Sequence, residues 1–189
     1  TTALVFCSVH SESVDALFSE AQAHNMRIIA GKVMMDRNAP DNVLDTAQSS
    51  YDQSKQLIQR WHGVDRLQYA ITPRFAPTST DEQLKAAGRL LAEHEGVYMH
   101  THLSENVDEI EWVKELFPKA KNYLDVYDQA GLLGKRSVFA HGIHLCDEEC
   151  DRLAKTDSAI AHCPTSNLFI GSGLFPMKKL QDYGIKIGM

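Results

Sequence analysis

The chain predicts an α/β fold of the (β/α)8-barrel (TIM-barrel) type, incomplete here, and three observations predict it. Short apolar runs rich in β-branched residues alternate with amphipathic stretches of helical period along the whole sequence. Strands separated by helices require right-handed crossovers and therefore a parallel sheet. Polar residues stand at the C-terminal ends of successive strands: Arg74, His102 with Glu105, His141, and His162 with Asn167. A doubly wound open sheet accommodates the alternation equally but spreads such ends along an edge, whereas a barrel gathers them around one pocket. No Gly-rich phosphate loop follows any strand, and Gly171-Ser172-Gly173 reads as a plain loop.

The elements follow in order. Ala3 to Val9 is a short strand, and Ser11 to Asn25 places Val14, Leu17, Phe18 and Ala21 on one helical face. Met26 to Met34 reads as one buried strand. Asp41 to His62 is a long helix with Leu44, Ala47, Tyr51, Ile58 and Trp61 on one side and Gly63 as its stop. Leu67 to Thr72 is the third strand, ended by Pro73, and Thr80 with Gln83 forms a capping box for the next helix. Val97 to Leu103 is the fourth strand; Val107, Ile110 and Phe117 carry the helix that Pro118 ends. A short helix through Leu124 and Tyr127 stops at Gly131. Ser137 to Leu145 is the fifth strand, with Glu148 to Thr156 helical after it. Ser158 to Cys163 is the sixth, Met177 to Tyr183 a helix closed by Gly184, and Ile185 to Met189 opens a seventh. That makes about six and a half βα units. Thr1 stands directly before a strand and Met189 lies inside another, so residues 1–189 are expected to be a piece of a larger catalytic barrel domain.

Composition bounds the partners. A net charge of −6 with 43% hydrophobic and 23% charged residues fits a globular protein and argues against a nucleic-acid partner, which calls for a basic face. No apolar run approaches the ~18 residues that cross a bilayer, and no basic segment leads into an apolar secretion signal. Cys7, Cys146, Cys150 and Cys163 include no CxxC pair, which points to reduced thiols in a cytoplasmic protein.

The richest stretch is Tyr98-Met99-His100-Thr101-His102-Leu103-Ser104-Glu105-Asn106. It sets an imidazole and a carboxylate three residues apart where a strand gives way to a helix. A metal-bound water needs a ligand to hold the metal and an acid/base to move protons, and His102 and Glu105 offer one of each. Alternation along the strand also puts His100 and His102 on one face, which leaves a local metal pair open as an alternative. Two further His-bearing strand ends follow, Ala140-His141-Gly142 and Ala161-His162-Cys163-Pro164. His144 reads as a structural residue of the loop after His141. His162 and Asn167 read as residues that fix the shape of their loop.

Four segments together carry a resemblance: Gly31 to Asn38 (GKVMMDRN), Ile71 to Thr78 (ITPRFAPT), Thr101 to Asn106 (THLSEN) and His162 to Asn167 (HCPTSN). The chain resembles the guanine deaminases, zinc-dependent members of the amidohydrolase superfamily of metal-dependent hydrolases, over essentially its full length; ITPRFAPT is the narrowest of the markers. The resemblance implies hydrolytic deamination of guanine to xanthine and ammonia, with one zinc ion per intact site and a homodimeric assembly. It implies that His102 is a zinc ligand lying in the substrate pocket. Glu105 carries a proton between the attacking water and the purine ring. His141 hydrogen-bonds the attacking oxygen. Arg74 donates to the guanine carbonyl, and Phe75 packs on the ring. The family draws two more ligands from a His-x-His on its first strand and one from an Asp near its eighth, and neither segment falls within these residues. Alternatives of the same superfamily are a deaminase or chlorohydrolase of a related heterocycle, such as a pterin or a chlorotriazine. The remaining alternative is a catalytically silent fragment of such an enzyme.

Overall fold

Two packing units make up the computed structural model, which describes residues 1–189. The first comprises Thr1–Arg74 with Thr78–Met99, the second Phe75–Pro77 with His100–Met189.

In the first unit the strands are β1 (Thr2–Phe6), β2 (Arg27–Gly31), β3 (Val33–Met34), β4 (Leu67–Pro73) and the start of β5 (Tyr98–Leu103). Their order is β1-β2-β4-β5, with β3 pairing β4, and every pairing is parallel. The register sets Val5 opposite Ala30, Ala30 opposite Tyr69, and Ile71 opposite Met99. Helices α1 (Ser11–Ala23), α2 (Ala47–Trp61) and α3 (Asp81–Glu93) connect them. Gly31 is required where β2 passes β4, since a Cβ there would stand 1.7 Å from the Ala70 carbonyl oxygen.

Three expectations need correction in this unit. Met26 to Met34 is two strands, broken at Lys32. The Lys32 side chain is fully buried and ion-paired with Asp45, and it also donates to the Val33 carbonyl at 3.2 Å. Burial pushes its ammonium below the usual lysine range, with Asp45 opposing. The long helix from Asp41 is instead a 3-10 turn at Asp41–Val43 followed by α2. Asp45 is drawn out of the helix to meet Lys32, and its N–H donates to the Met35 carbonyl at 2.6 Å. Thr46 then caps α2 in a reciprocal box with Ser49, whose N–H donates to Thr46 Oγ1 at 3.0 Å and whose Oγ accepts from the Thr46 N–H at 2.9 Å. The Thr80–Gln83 box is one-sided. Thr80 Oγ1 accepts from the Gln83 N–H, but Asp36 takes the Thr80 N–H at 2.7 Å and the Gln83 amide donates to Ser50 Oγ at 2.9 Å.

The second unit holds the rest of β5, β6 (Ser137–His141), β7 (Ala159–Ala161) and β8 (Lys186–Gly188), in the order β5-β6-β7-β8. Phe139 lies opposite Ile160, and Ile160 opposite Ile187. Helices α4 (Val107–Leu116), α5 (Tyr123–Gln129), α6 (Asp147–Lys155), α7 (Pro164–Phe169) and α8 (Met177–Asp182) alternate with them. β6 stops at His141 because that residue takes a left-handed φ of 74°, four residues before the expected end at Leu145. HCPTSN, read as a loop, enters α7 at Pro164, which stands in the first turn, where a missing N–H costs nothing. On α4 the buried residues are Glu109 and Val113, and Val107 faces outward. No helix is long and apolar enough to cross a membrane.

Candidate active site

The site assembles in the second unit, at the C-terminal ends of β5 and β6. Beyond Leu103, Ser104 adopts a left-handed φ of 47°, which turns the chain so that Glu105 follows within one residue. The loop after β6 is bonded to this turn: the Gly142 N–H donates to the Leu103 carbonyl at 2.9 Å, and the Ile143 and His144 N–H groups donate to the Ser104 carbonyl at 3.1 and 3.2 Å. Gly142 sits at a φ of 59° with Ile160 3.1 Å from where a Cβ would stand, so this turn favours glycine.

Those bonds bring three predicted residues together. The rings of His102 and His141 stack with centroids 5.3 Å apart and 20° between planes. The Glu105 carboxylate lies 3.3 Å from His141 Nδ1, and Asn167 Oδ1 lies 2.8 Å from the same nitrogen. Two acceptor oxygens at one nitrogen assign a proton to Nδ1. His141 is buried to 4% exposure, while His102 and Glu105 are half-buried. Phe75 meets His102 edge-on at 6.3 Å and is backed by Trp112, also edge-on at 6.3 Å. Phe75, Glu105, Asn106, Asp108, Glu109 and Trp112 line a cleft of about 400 Å³.

Of the remaining predicted residues, Asn167 joins this group and the others fall elsewhere. Arg74 is an exposed residue of the first unit, its backbone N–H donating to the Met34 carbonyl at 3.1 Å. His144 bonds the Ser172 carbonyl at 2.8 Å, a structural role in keeping with its reading as a loop residue. The ring of His162 stacks on Phe175 at 4.3 Å. Asn167, read as a residue that shapes its loop, instead bonds His141 directly. His100 is withdrawn into the core, where burial, with the neighbouring His102, pushes its pKa down to about 3.

Sequence reasoning passed over Glu109 and Tyr127. Glu109 accepts from the Glu105 and Asn106 N–H groups at 3.0 and 3.3 Å and from the Tyr123 hydroxyl at 2.6 Å. Burial pushes its carboxyl up, and the Tyr123 hydroxyl and the backbone N–H groups oppose that. The signal was present: Asn106-x-x-Glu109 is a capping box, with the Glu109 N–H donating to Asn106 Oδ1 at 2.8 Å. Nothing in the sequence marks Tyr127, whose hydroxyl donates to the His102 carbonyl at 2.8 Å.

A zinc ion does not fit these residues as a complete site. His102, Glu105 and His141 offer donors of the right chemistry, but no three His, Cys, Asp or Glu side chains converge as a ligand set.

A sequence model of the amidohydrolase family matches residues 1–189. The chain is 63% identical to guanine deaminase of Escherichia coli (strain K12), aligning over 100% of its own length and 43% of that protein. It is 38% identical to guanine deaminase of Dictyostelium discoideum, again over 100% of its length and 42% of the relative. Among solved structures it matches E. coli guanine deaminase with a TM-score of 0.99 at 63% identity, covering 100% of this chain and 44% of that one. It matches a guanine deaminase from C. acetobutylicum with guanine bound in its active site with a TM-score of 0.95 at 34% identity, over 99% and 45% of the two chains. A triazine hydrolase variant superposes with a TM-score of 0.91 at 21% identity, over 100% and 43%, a likeness of fold alone. The chain spans less than half the length of the curated relatives it matches. Its fold is the incomplete (β/α)-barrel type expected from sequence, and the chain belongs to the amidohydrolase family.

Proposed function

We propose that the intact protein carrying these residues hydrolyses guanine to xanthine and ammonia. The observation that carries the reading is the group formed by Glu105, His141 and Asn167, with His102 stacked on His141 and Phe75 beside it. The identity to named guanine deaminases and a homologue with guanine bound support the choice of substrate.

In the net reaction water adds its oxygen to the carbon bearing the exocyclic amine, and that amine leaves as ammonia. Glu105 takes a proton from the attacking water, delivers it to the adjacent ring nitrogen, and later helps protonate the leaving amine. His141 hydrogen-bonds the attacking oxygen, and Asn167 holds its ring. Phe75 packs on the purine, and Arg74 donates to its carbonyl oxygen. In the whole enzyme His102 would supply one ligand to a zinc ion, which would activate the attacking water. The reading also includes a homodimer in a reducing, cytoplasmic setting, which the four unpaired thiols accommodate.

The test uses the full-length protein and a panel of guanine, adenine, a pterin and a chlorotriazine, scored by release of ammonia or chloride. Guanine should exceed adenine by roughly 10⁴ in kcat/KM, because adenine lacks the carbonyl to which Arg74 donates. Faster turnover of the pterin or triazine contradicts the proposal. Arg74→Ala should lose guanine turnover while keeping zinc; equal loss of both would remove Arg74 from the substrate site.

A further inference from the structure

Helix α5 lies outside the strand ends that carry the reacting groups, yet two of its tyrosines end on their backbone. Tyr123 and Tyr127 are one turn apart, fully buried or nearly so, and their rings stack at 5.7 Å with 28° between planes. Tyr127 spends its whole hydrogen-bonding capacity at the site. Its hydroxyl accepts from the Ala76 N–H at 2.9 Å and from Thr101 Oγ1 at 3.2 Å, and donates to the His102 carbonyl at 2.8 Å. Tyr123 donates to Glu109 Oε1 at 2.6 Å, and Glu109 Oε2 takes the N–H groups of Glu105 and Asn106. A helix that served stability alone would bury its phenols against any available carbonyl. Here the two chains of bonds end on the residue beside Phe75, on His102, and on Glu105.

We propose that α5 is a positioning element, with Tyr127 setting His102 and Phe75 and the Tyr123–Glu109 pair setting Glu105. The inference rests on the assignment of those three residues under the proposed function. It divides the labour: the Tyr123–Glu109 arm governs the proton-transferring group, and the Tyr127 arm governs the ring-binding end. Misplacement of a reacting group by about 1 Å costs on the order of 100-fold, and loss of supporting hydrogen bonds around such sites costs roughly 10–100-fold.

The experiment is steady-state kinetics on the full-length enzyme, per mole of folded, metal-loaded protein. Glu109→Ala should lower kcat by roughly 10–100-fold with KM within about twofold. Glu109→Gln should recover most of that loss, because its amide oxygen still accepts both backbone N–H groups. Tyr127→Phe should act chiefly on KM for guanine, through the released Ala76 N–H next to Phe75. Tyr123→Phe, which deletes a single oxygen and keeps the stacked ring, provides the same test as Glu109→Ala should that variant fail to fold. Lowered thermal stability with kcat and KM unchanged in all four variants would reduce α5 to packing and overturn the inference. Glu105→Gln, run alongside, separates the two failures. If it stays active, the functional reading itself falls; if it is inactive while the α5 variants are silent, only the positioning role falls.

Discussion

The two units put their buried polar pairs to different use. In the first, the buried pairs lie along the chain's packing elements: Lys32 on Asp45 and the Val33 carbonyl, Thr80 on Asp36, and the Gln83 amide nitrogen on Ser50, with Gln83 Oε1 left without a partner. In the second, the pairings at the strand ends leave capacity over. His141 has both neighbouring oxygens on one nitrogen, Asn167 has a buried amide nitrogen with no partner, and Glu105 remains half-buried beside a cleft. Both units use the same strand-helix alternation, so the alternation does not distinguish them. What distinguishes them is where ionisable side chains meet: in the second unit Glu105 and His141 come together at the strand ends, with Glu105 lining a cleft.

The sharpest way to break this contrast is at the closed pair. Lys32→Met in the full-length protein leaves Asp45 buried without its partner and should destabilise by about 3–5 kcal/mol, with kcat per folded molecule unchanged. Unfolding in denaturant measures the first part and active-site-normalised kinetics the second. A kinetic loss without a stability loss would move Lys32 into the machinery. The smaller effect belongs to the open group. Asn167→Ala removes the oxygen 2.8 Å from His141 and should cost roughly 10–100-fold in kcat, with little change in stability since one buried unpaired nitrogen disappears with it. A stability loss as large as that of Lys32→Met would put Asn167 with the structural pairs.

Much of this was legible in the residues, and the parts that were not share a cause. The order of strands and helices, and the strand ends at His102 and His141, follow from period and from the polar residues that terminate each apolar run. The break at Lys32 was hidden because its partner, Asp45, lies thirteen residues away, and an apolar run carries no sign of a distant carboxylate. The start of α2 was displaced for the same reason: Leu44 fits the helical period, but Asp45 is held outside the helix by Lys32. At α7 the local signal existed, a proline suited to a first turn, yet a six-residue helix is too short for periodicity to register. In the site, His102, Glu105 and His141 were found by residue type and spacing. Asn167 lies 26 residues from the ring it holds, and Tyr127 acts through a hydroxyl that meets a backbone carbonyl, so neither role leaves a pattern along the chain.

The most direct test of the central claim is guanine turnover by full-length enzyme carrying Glu105→Gln, with bound zinc measured on the same sample. Gln keeps the size and the contact near His141 but cannot take a proton at neutral pH. We expect metal content and guanine affinity to stay near the parent values while kcat falls by about 10³-fold or more. Turnover within tenfold of the parent would show that the carboxylate beside His141 does not move the proton, and the site would have to be rebuilt around other residues.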